Sequence, residues 1–497
     1  MVYSMAARHS PEELRMFLLD FKEGVEFQQF AATQDEGKAL PHAEVVSVES
    51  DAEFGVAALN HFLVELERRS QLYKQVNAAN IRDYRKITGE VLPRWVLFVD
   101  EFQGMFTEPT YQEATLRLED LVRRGHSFGL HVVLASQTLS GIRFESNKDK
   151  AIFENMPARV VLQLGREESV NFLGSGNDEA AGLRYRDQAI LNTQSGAVDA
   201  NTHFVVAYAD QEYVDLQNSL WDASAGLEGS TSKSPTLYKG DQYATSGDLL
   251  RRNPPPKGEH GELPIWFGQE STVEGAAASG VLAPAGGNNV LVLGNQDPLS
   301  AIATTQTLTL SAVAAATERI QVLLLDTPAR RVRSRIDTER WVQALQKLGA
   351  QVTRFGLGEE QDFLDAVNEA ADGERRPIAV IIGGENSAFK EVADLDWADS
   401  IRNLPRRNVN VIGQWASHLD VAGDSYSLLQ DHETALFVGA SKQDIEAATQ
   451  RSSMDVPEPK KTRTVVFSAA SPTKQLSRIT GLRPLDESDY RAWEALA

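Results

Sequence analysis

Residues Trp95 to Val99 form an apolar run with no alternation of polar and apolar positions. That is the pattern of a strand buried on both faces of a parallel sheet. The run ends in two adjacent carboxylates, Asp100 and Glu101, at the strand end where open α/β sheets place their ligands. Further along, a second apolar run from Leu130 to Ala135 ends in Ser136-Gln137, and roughly Glu113 to Arg124 reads as a helix between the two. Strand, crossover helix and strand, with both polar tips on one sheet edge, make a βαβ unit. The chemistry such tips suit is nucleoside-triphosphate hydrolysis. In that reading Asp100 holds Mg²⁺ through its water shell and Glu101 polarises the attacking water. Gln137 senses the γ-phosphate, and Ser136 beside it contacts the nucleotide. The alternative is that Asp-Glu after a strand opens a solvated loop.

Around these residues a resemblance becomes specific. VLFVDEFQGMF followed by LEDLVRRGHSFGLHVVLASQTLSG resembles the FtsK/SpoIIIE family of RecA-like motor ATPases. That family carries a hydrophobic-Asp-Glu strand, a glycine-framed entry to the next strand and a Thr/Ser-Gln tip. His126 stands where the family has arginine. SPEELRMFLLDFKEGVEF, Leu40 to His42, ELERR at Glu65 to Arg69, NIRDY at Asn80 to Tyr84 and NMPARVVLQLGREES follow the family order. The match runs over roughly the first 210 residues and is closest in kind to large bacterial proteins with several motor domains. It implies ATP and Mg²⁺ as cofactors, a homo-oligomeric ring, a cytoplasmic location, and DNA as the threaded substrate, with polypeptide as the alternative. Arg123 and Arg124, in the turn before Leu130, could reach a neighbouring subunit's nucleotide as a catalytic finger, Arg124 ahead of Arg123. The other reading is that they cap their own helix by charge–dipole attraction.

The amino terminus departs from the family. MVYSMAARHSPEEL reads as the last turns of a helix, a loop and then a strand from Leu14 to Leu19. No G-x-x-x-x-G-K-[ST] occurs in the 497 residues, although such a loop supplies the backbone N–H groups and lysine that cradle the β- and γ-phosphates. The expectation is therefore the carboxyl-terminal part of a longer protein, or a late-starting gene model, whose first sheet is amino-terminally incomplete. As given, the chain is expected to have little ATPase activity.

Length allows two or three domains with full cores. The chain has no cysteine, nine histidines without metal-ligand spacing, and a formal net charge of −21. Thiolate metal sites and disulfides are excluded, and a broad basic surface for nucleic acid is disfavoured. Phe54 to Tyr73 reads as an amphipathic helix whose ELERR segment is a solvated face. His131 reads as a packed core histidine, and Phe153 to Gly174, with strand ARVVLQL, is expected to complete the first sheet.

The expected organisation is a first domain over 1–221, a Ser/Gly/Pro-rich linker over 222–262 and a second domain over 263–497. The second alternates strands (NNVLVLG, IQVLLLD, QVTRF, PIAVIIGG, NVNVIGQ) with helices, so the fold class is α/β with two RecA-like, doubly wound, mostly parallel sheets. The uncharged helix from Pro298 to Thr317 reads as buried beneath a sheet rather than as membrane-spanning. The second domain is expected to be degenerate. Leu299, Ser300 and Ala301 stand in the Gly-Lys-Ser/Thr position, Asp297 would repel a phosphate, Gly383-Gly384 replace Asp-Glu, and Gly413-Gln414 replace Ser136-Gln137. The main function read here is an FtsK/SpoIIIE-like DNA translocase missing its phosphate loop; the alternatives are a secretion motor or a non-catalytic assembly module.

Overall fold

A computed structural model describes residues 1–22, 26–31, 38–107, 110–137, 152–207, 211–225, 235–387, 401–421, 428–453, 455–469 and 476–497. Thr138 to Gly141 of the Ser-Gln motif's tail lie outside them. The chain forms two compact units, Met1–Gly240 and Asp241–Ala497.

In the first unit, β1 (Leu14–Asp20), β2 (Ala43–Val48), β3 (Arg94–Asp100), β4 (Leu130–Leu134) and, from later in the chain, Thr236–Lys239 form one sheet. Its order is β4-β3-β1-β2 and then Thr236–Lys239, every pair parallel. Parallel neighbours require crossovers, supplied by α2 (Ala52–Val76) between β2 and β3 and α4 (Tyr111–Arg124) between β3 and β4. The short α1 (Val2–Ala6) and the helix α3 (Ile81–Thr88) complete this part. Both helix caps near the sheet are chemically explicit: Asp51 accepts from Phe54 N–H at 2.9 Å, and Asn80 accepts from Arg82 and Asp83 N–H. Tyr238 closes the far side, stacking on Phe54 and donating to the second oxygen of Asp51 at 3.0 Å.

Three sequence expectations change here. The ELERR segment is not a solvated face. Glu65 and Arg69 are buried and paired at 2.7 Å, and Arg69 also donates to the Phe128 carbonyl and lies over Trp95. The i,i+4 spacing that suits an exposed pair also suits a buried one when a carbonyl at the end of a neighbouring turn needs a donor. The ARVVLQL strand does not complete the five-stranded sheet. Its core, β5 (Arg159–Val161), pairs with β6 (Gln188–Asn192) and β6 with β7 (Asn201–Val205) in a separate antiparallel sheet. The stretch expected as linker holds Thr236–Lys239 (β8), which belongs to the first sheet, and the helix Ser246–Arg252, which belongs to the second unit. The division falls between Gly240 and Asp241.

The second unit has ten strands: β9 (Leu263–Gln269), β10 (Ala277–Leu282), β11 (Val290–Leu293), β12 (Ile320–Asp326), β13 (Gln351–Phe355), β14 (Arg376–Ile382), β15 (Asn410–Trp415), β16 (Thr434–Val438), β17 (Arg463–Ser468) and β18 (Ser477–Thr480). Their order is β10-β9-β18-β17-β16-β11-β15-β14-β12-β13. The half from β16 to β13 is parallel, and the remainder is an antiparallel extension that the sequence pattern did not show. Apolar side chains pack on both faces: Val290 and Val292 join one core, Leu291 and Leu293 the other. The helix Pro298–Ala315 is buried nearly throughout. Its hydroxyls tolerate this because Thr304, Thr305, Thr309 and Ser311 donate to carbonyls one turn back. No helix among the described residues is long and apolar enough to cross a membrane.

The two units repeat one pattern. In each, a strand ending in Leu-Leu-Asp or Leu-Leu-Leu-Asp (β1, β12) pairs with the Asp-Glu-type strand (β3, β14), which pairs with the Ser-Gln-type strand (β4, β15). The units differ at the next position. β15 continues to β11, which joins it to β16, whereas among the described residues no strand pairs with the outer edge of β4. Accordingly β15 is fully buried, while His131 to Leu134 of β4 are only half-buried.

A prediction comes from His432, which sits fully inside the second unit. Its Nδ1 lies 3.0 Å from the Leu428 carbonyl, and Nε2 has no hydrogen-bond partner among the described residues. Burial pushes its pKa down to about 4. The unfolded chain thus takes up the proton first as pH falls, so stability is complete above about 6.5 and declines towards pH 4, by up to about 3 kcal/mol. Denaturant unfolding at pH 7 and pH 4.5 should show a markedly smaller acid loss in His432→Gln than in the unaltered protein.

Candidate active site

β3 ends at Asp100, and Glu101 follows in the left-handed region at φ 49°, ψ 48°. For a residue with a Cβ this conformation costs of order 1–3 kcal/mol and persists only where surroundings enforce it. The turn carries the Glu101 carboxylate back over the sheet edge, where it is 7% exposed. Two donors fix its Oε2: Gln103 Nε2 at 2.6 Å and the backbone N–H of Gln137 at 3.4 Å. Gln103 in turn accepts from Ser136 Oγ at 2.8 Å. Lys22 Nζ lies 3.9 Å from the other oxygen, Oε1. The structure therefore brings Asp100, Glu101, Ser136 and Gln137 to one edge.

Gln103 is the member that sequence reasoning missed. Its only signal is the spacing: an amide two residues after the glutamate, on the tight turn Phe102–Met105 that the left-handed residue starts. It links the strand-end carboxylate to the tip of the next strand. Asp100 is half-buried, and burial, reinforced by the neighbouring charge of Glu101, raises its carboxyl above the usual range. Among the described residues no three acidic or histidine side chains group to ligate a metal ion directly; a divalent cation here would be held through water, with Glu101 as the fixed acceptor for a water proton.

Arg124 does not join this group. The crossover helix leads away from the carboxyl edge of β3, so its last turn lies at the opposite edge of the sheet. There Arg124 donates to Asp120 at 2.8 Å and to Glu67 at 2.6 Å, and Arg123 pairs with Glu119 and Asp120. Within the unit these arginines tie α4 to α2. His131 lies on β4, and burial lowers its pKa, as for a packed neutral imidazole.

The second unit shows the same scaffold with different contents. By strand register, Asp20 faces Asp100 and Asp326 faces Ile382. Ile382 thus occupies the Asp100 position and Gly383, at φ 70°, the left-handed position of Glu101. The sequence alignment, with Gly383-Gly384 for Asp-Glu, was one residue too far along. The same register sets Trp415 and Ala416 opposite Ser136 and Gln137, replacing Gly413-Gln414. The carboxylate is supplied from later in the turn: Glu385 accepts the Ala416 N–H at 3.1 Å. Across from it, Asp297 caps the helix Pro298–Ala315 by accepting from Ser300 N–H at 3.2 Å, and its other oxygen accepts from Tyr243 OH at 2.6 Å. The Tyr243 hydroxyl also lies 2.9 Å from the Lys461 carbonyl, and burial beside Asp297 pushes its phenol up to about 12. A carboxylate and a phenol thus fill the helix terminus that a phosphate would need.

Titrating the chain with Mg-ATP should therefore give no saturable heat from the second unit at micromolar nucleotide. A Tyr243→Phe/Asp297→Ser variant should open the terminus without creating tight binding, because no lysine is present in that loop.

Comparison with known proteins places the similarity mainly in the first part of the chain. Residues 1–143 match the FtsK/SpoIIIE family. The chain is 27% identical over 201 residues to the ESX secretion system protein YukB of Bacillus subtilis, covering 36% of this chain and 13% of that protein. It is 29% identical over 176 residues to the ESX-5 secretion system protein EccC5 of Mycobacterium marinum, covering 33% and 11%. It thus spans only a small part of the length of these relatives. Among solved structures, the cytoplasmic domain of the type VII secretion ATPase EccC from Thermomonospora curvata aligns with a TM-score of 0.60 at 18% identity, covering 100% of this chain and 60% of that one. ATPases 2 and 3 of the same protein, in complex with a signal sequence peptide, align with a TM-score of 0.56 at 14% identity over 98% of this chain and 85% of that one. Both units share the RecA-like fold of these neighbours, and the similarity to the FtsK/SpoIIIE family lies in the first unit, over residues 1–143.

Proposed function

We propose that the first unit carries the cation-and-water side of an ATP-hydrolysing motor site, in a protein that moves polypeptide rather than DNA. The observation that carries the chemistry is the Glu101 carboxylate, held over the sheet edge by Gln103 and the Gln137 N–H, with Ser136 tied to the same amide. Bound there, Mg²⁺ would neutralise charge developing on the phosphates. Asp100 would hold its water shell, and the half-buried carboxylate fits that task. Glu101 orients and accepts a proton from the attacking water. Gln137, with its backbone on Glu101 and its side chain exposed, reports the γ-phosphate to the same carboxylate. Arg124 lies outside this unit's own site, paired with Asp120 and Glu67, and a reach towards a neighbouring copy's nucleotide stays part of the proposal.

Polypeptide is favoured over DNA on two grounds. The relatives that match are named as secretion proteins, and one neighbour is described with a signal sequence peptide bound. The chain's net charge of −21 opposes the phosphate backbone. The second unit is the non-hydrolytic partner, its terminus closed by Asp297 and Tyr243. Assembly as a ring of copies follows from the family and belongs to the same proposal.

Two measurements test this. In a chain that carries a phosphate loop, Glu101→Gln should bind nucleotide within about threefold of the unaltered site and lose at least about 10²-fold in turnover; near-normal turnover overturns the assignment. Fluorescence anisotropy with duplex DNA at physiological salt should show no binding tighter than the non-specific range of roughly 10⁻⁴–10⁻⁶ M. Tighter, salt-sensitive binding would restore the DNA reading.

A further inference from the structure

β1 ends in Asp20, whose side chain no functional reading so far uses. It is fully buried. Its Oδ1 accepts the Lys22 N–H at 2.8 Å, and its Oδ2 has no hydrogen-bond partner among the described residues. Strand register sets it directly beside Asp100 at the carboxyl edge of the sheet. The two are close enough, with Glu101, for their charges to act on each other. A buried carboxylate with a free oxygen is costly unless a cation faces it.

The second unit shows what an aspartate at this place needs. Asp326, at the end of β12 and equally buried, has Arg354 on its Oδ2 and Arg333 Nη1 at 3.8 Å from the same oxygen. There the strand opposite offers Ile382, not a carboxylate. In the first unit the order is reversed: the neighbours are Asp100 and Glu101. No arginine or lysine among the described residues is paired with Asp20, and Lys22 is directed to Glu101.

We infer that Asp20 is a further carboxylate of the first unit's divalent-cation site, acting with Asp100 on the cation's water shell. The inference rests on the proposed ATPase reading and deepens it. Asp20 acts from β1, the strand beside that of Asp100. Its free oxygen supplies an acceptor for a metal-bound water that Asp100, on β3, faces from beside it. In the second unit the arginine pair takes the cation's place, so the same aspartate there is structural.

The test uses the 497-residue chain and Mn²⁺ alone, followed by loss of the free-ion electron paramagnetic resonance signal and by the thermal midpoint. Asp20→Asn keeps the shape and the acceptor for Lys22 N–H. It should weaken Mn²⁺ binding about tenfold or more, as should Asp100→Asn, while Asp326→Asn should leave it unchanged. Asp20→Asn should also raise the metal-free midpoint, because an uncompensated buried charge is gone, and abolish the rise that Mn²⁺ produces in the unaltered chain. Loss of binding in Asp100→Asn with unchanged binding in Asp20→Asn overturns this inference and leaves the ATPase reading standing. Unchanged binding in both overturns the cation site itself. A lowered metal-free midpoint in Asp20→Asn with an intact Mn²⁺ response shows a structural role only and also overturns it.

Discussion

A parallel sheet is held together only through its neighbours' backbones, so each interior strand needs a partner on both sides. The second unit meets that condition at β11, which takes β15 on one side and β16 on the other and so makes ten strands one sheet. The first unit has the corresponding flanking strands, β4 and β5, in two separate sheets. The half-burial of β4 follows directly from this difference. So does the chemistry: the edge next to β4 is where the second unit places the loop and helix terminus that Asp297 and Tyr243 fill.

Among the described residues the two units carry different parts of one pattern. The first retains the fixed glutamate, the aspartates and the Ser-Gln tip. The second retains the strand, loop and helix of the phosphate side, but places a carboxylate and a phenol at the helix terminus. It substitutes Ile382 for Asp100 and supplies its carboxylate from Glu385. Its turn no longer carries strain, since Gly383 adopts the left-handed conformation freely. Glu101 in the same conformation keeps that strain, which is consistent with a side chain whose placement matters.

Much of this was legible in the sequence because apolar runs and polar tips are local signals. Trp95 to Glu101 and Leu130 to Gln137 announced the strands and the sheet edge together. What was not legible depended on register or on burial. The one-residue offset of Gly383 needs the pairing of β12 with β14. The burial of Glu65 and Arg69 needs the Phe128 carbonyl, which lies far along the chain. Gln103 needs the turn set by Glu101, and Asp20 needs Asp100 beside it. Thr236–Lys239 was hidden in a Ser/Gly/Pro-rich stretch, where composition outweighed four residues of strand.

On the proposed reading the first unit, and not the second, completes a nucleotide site once a strand, phosphate loop and helix lie beside β4. The most direct measurement is the stoichiometry of a non-hydrolysable ATP analogue on a chain extended amino-terminally by such a segment. One analogue per chain, lost when Asp100 is replaced by alanine, is the predicted result. Two per chain, or one that persists without Asp100, would place nucleotide in the second unit and contradict the account.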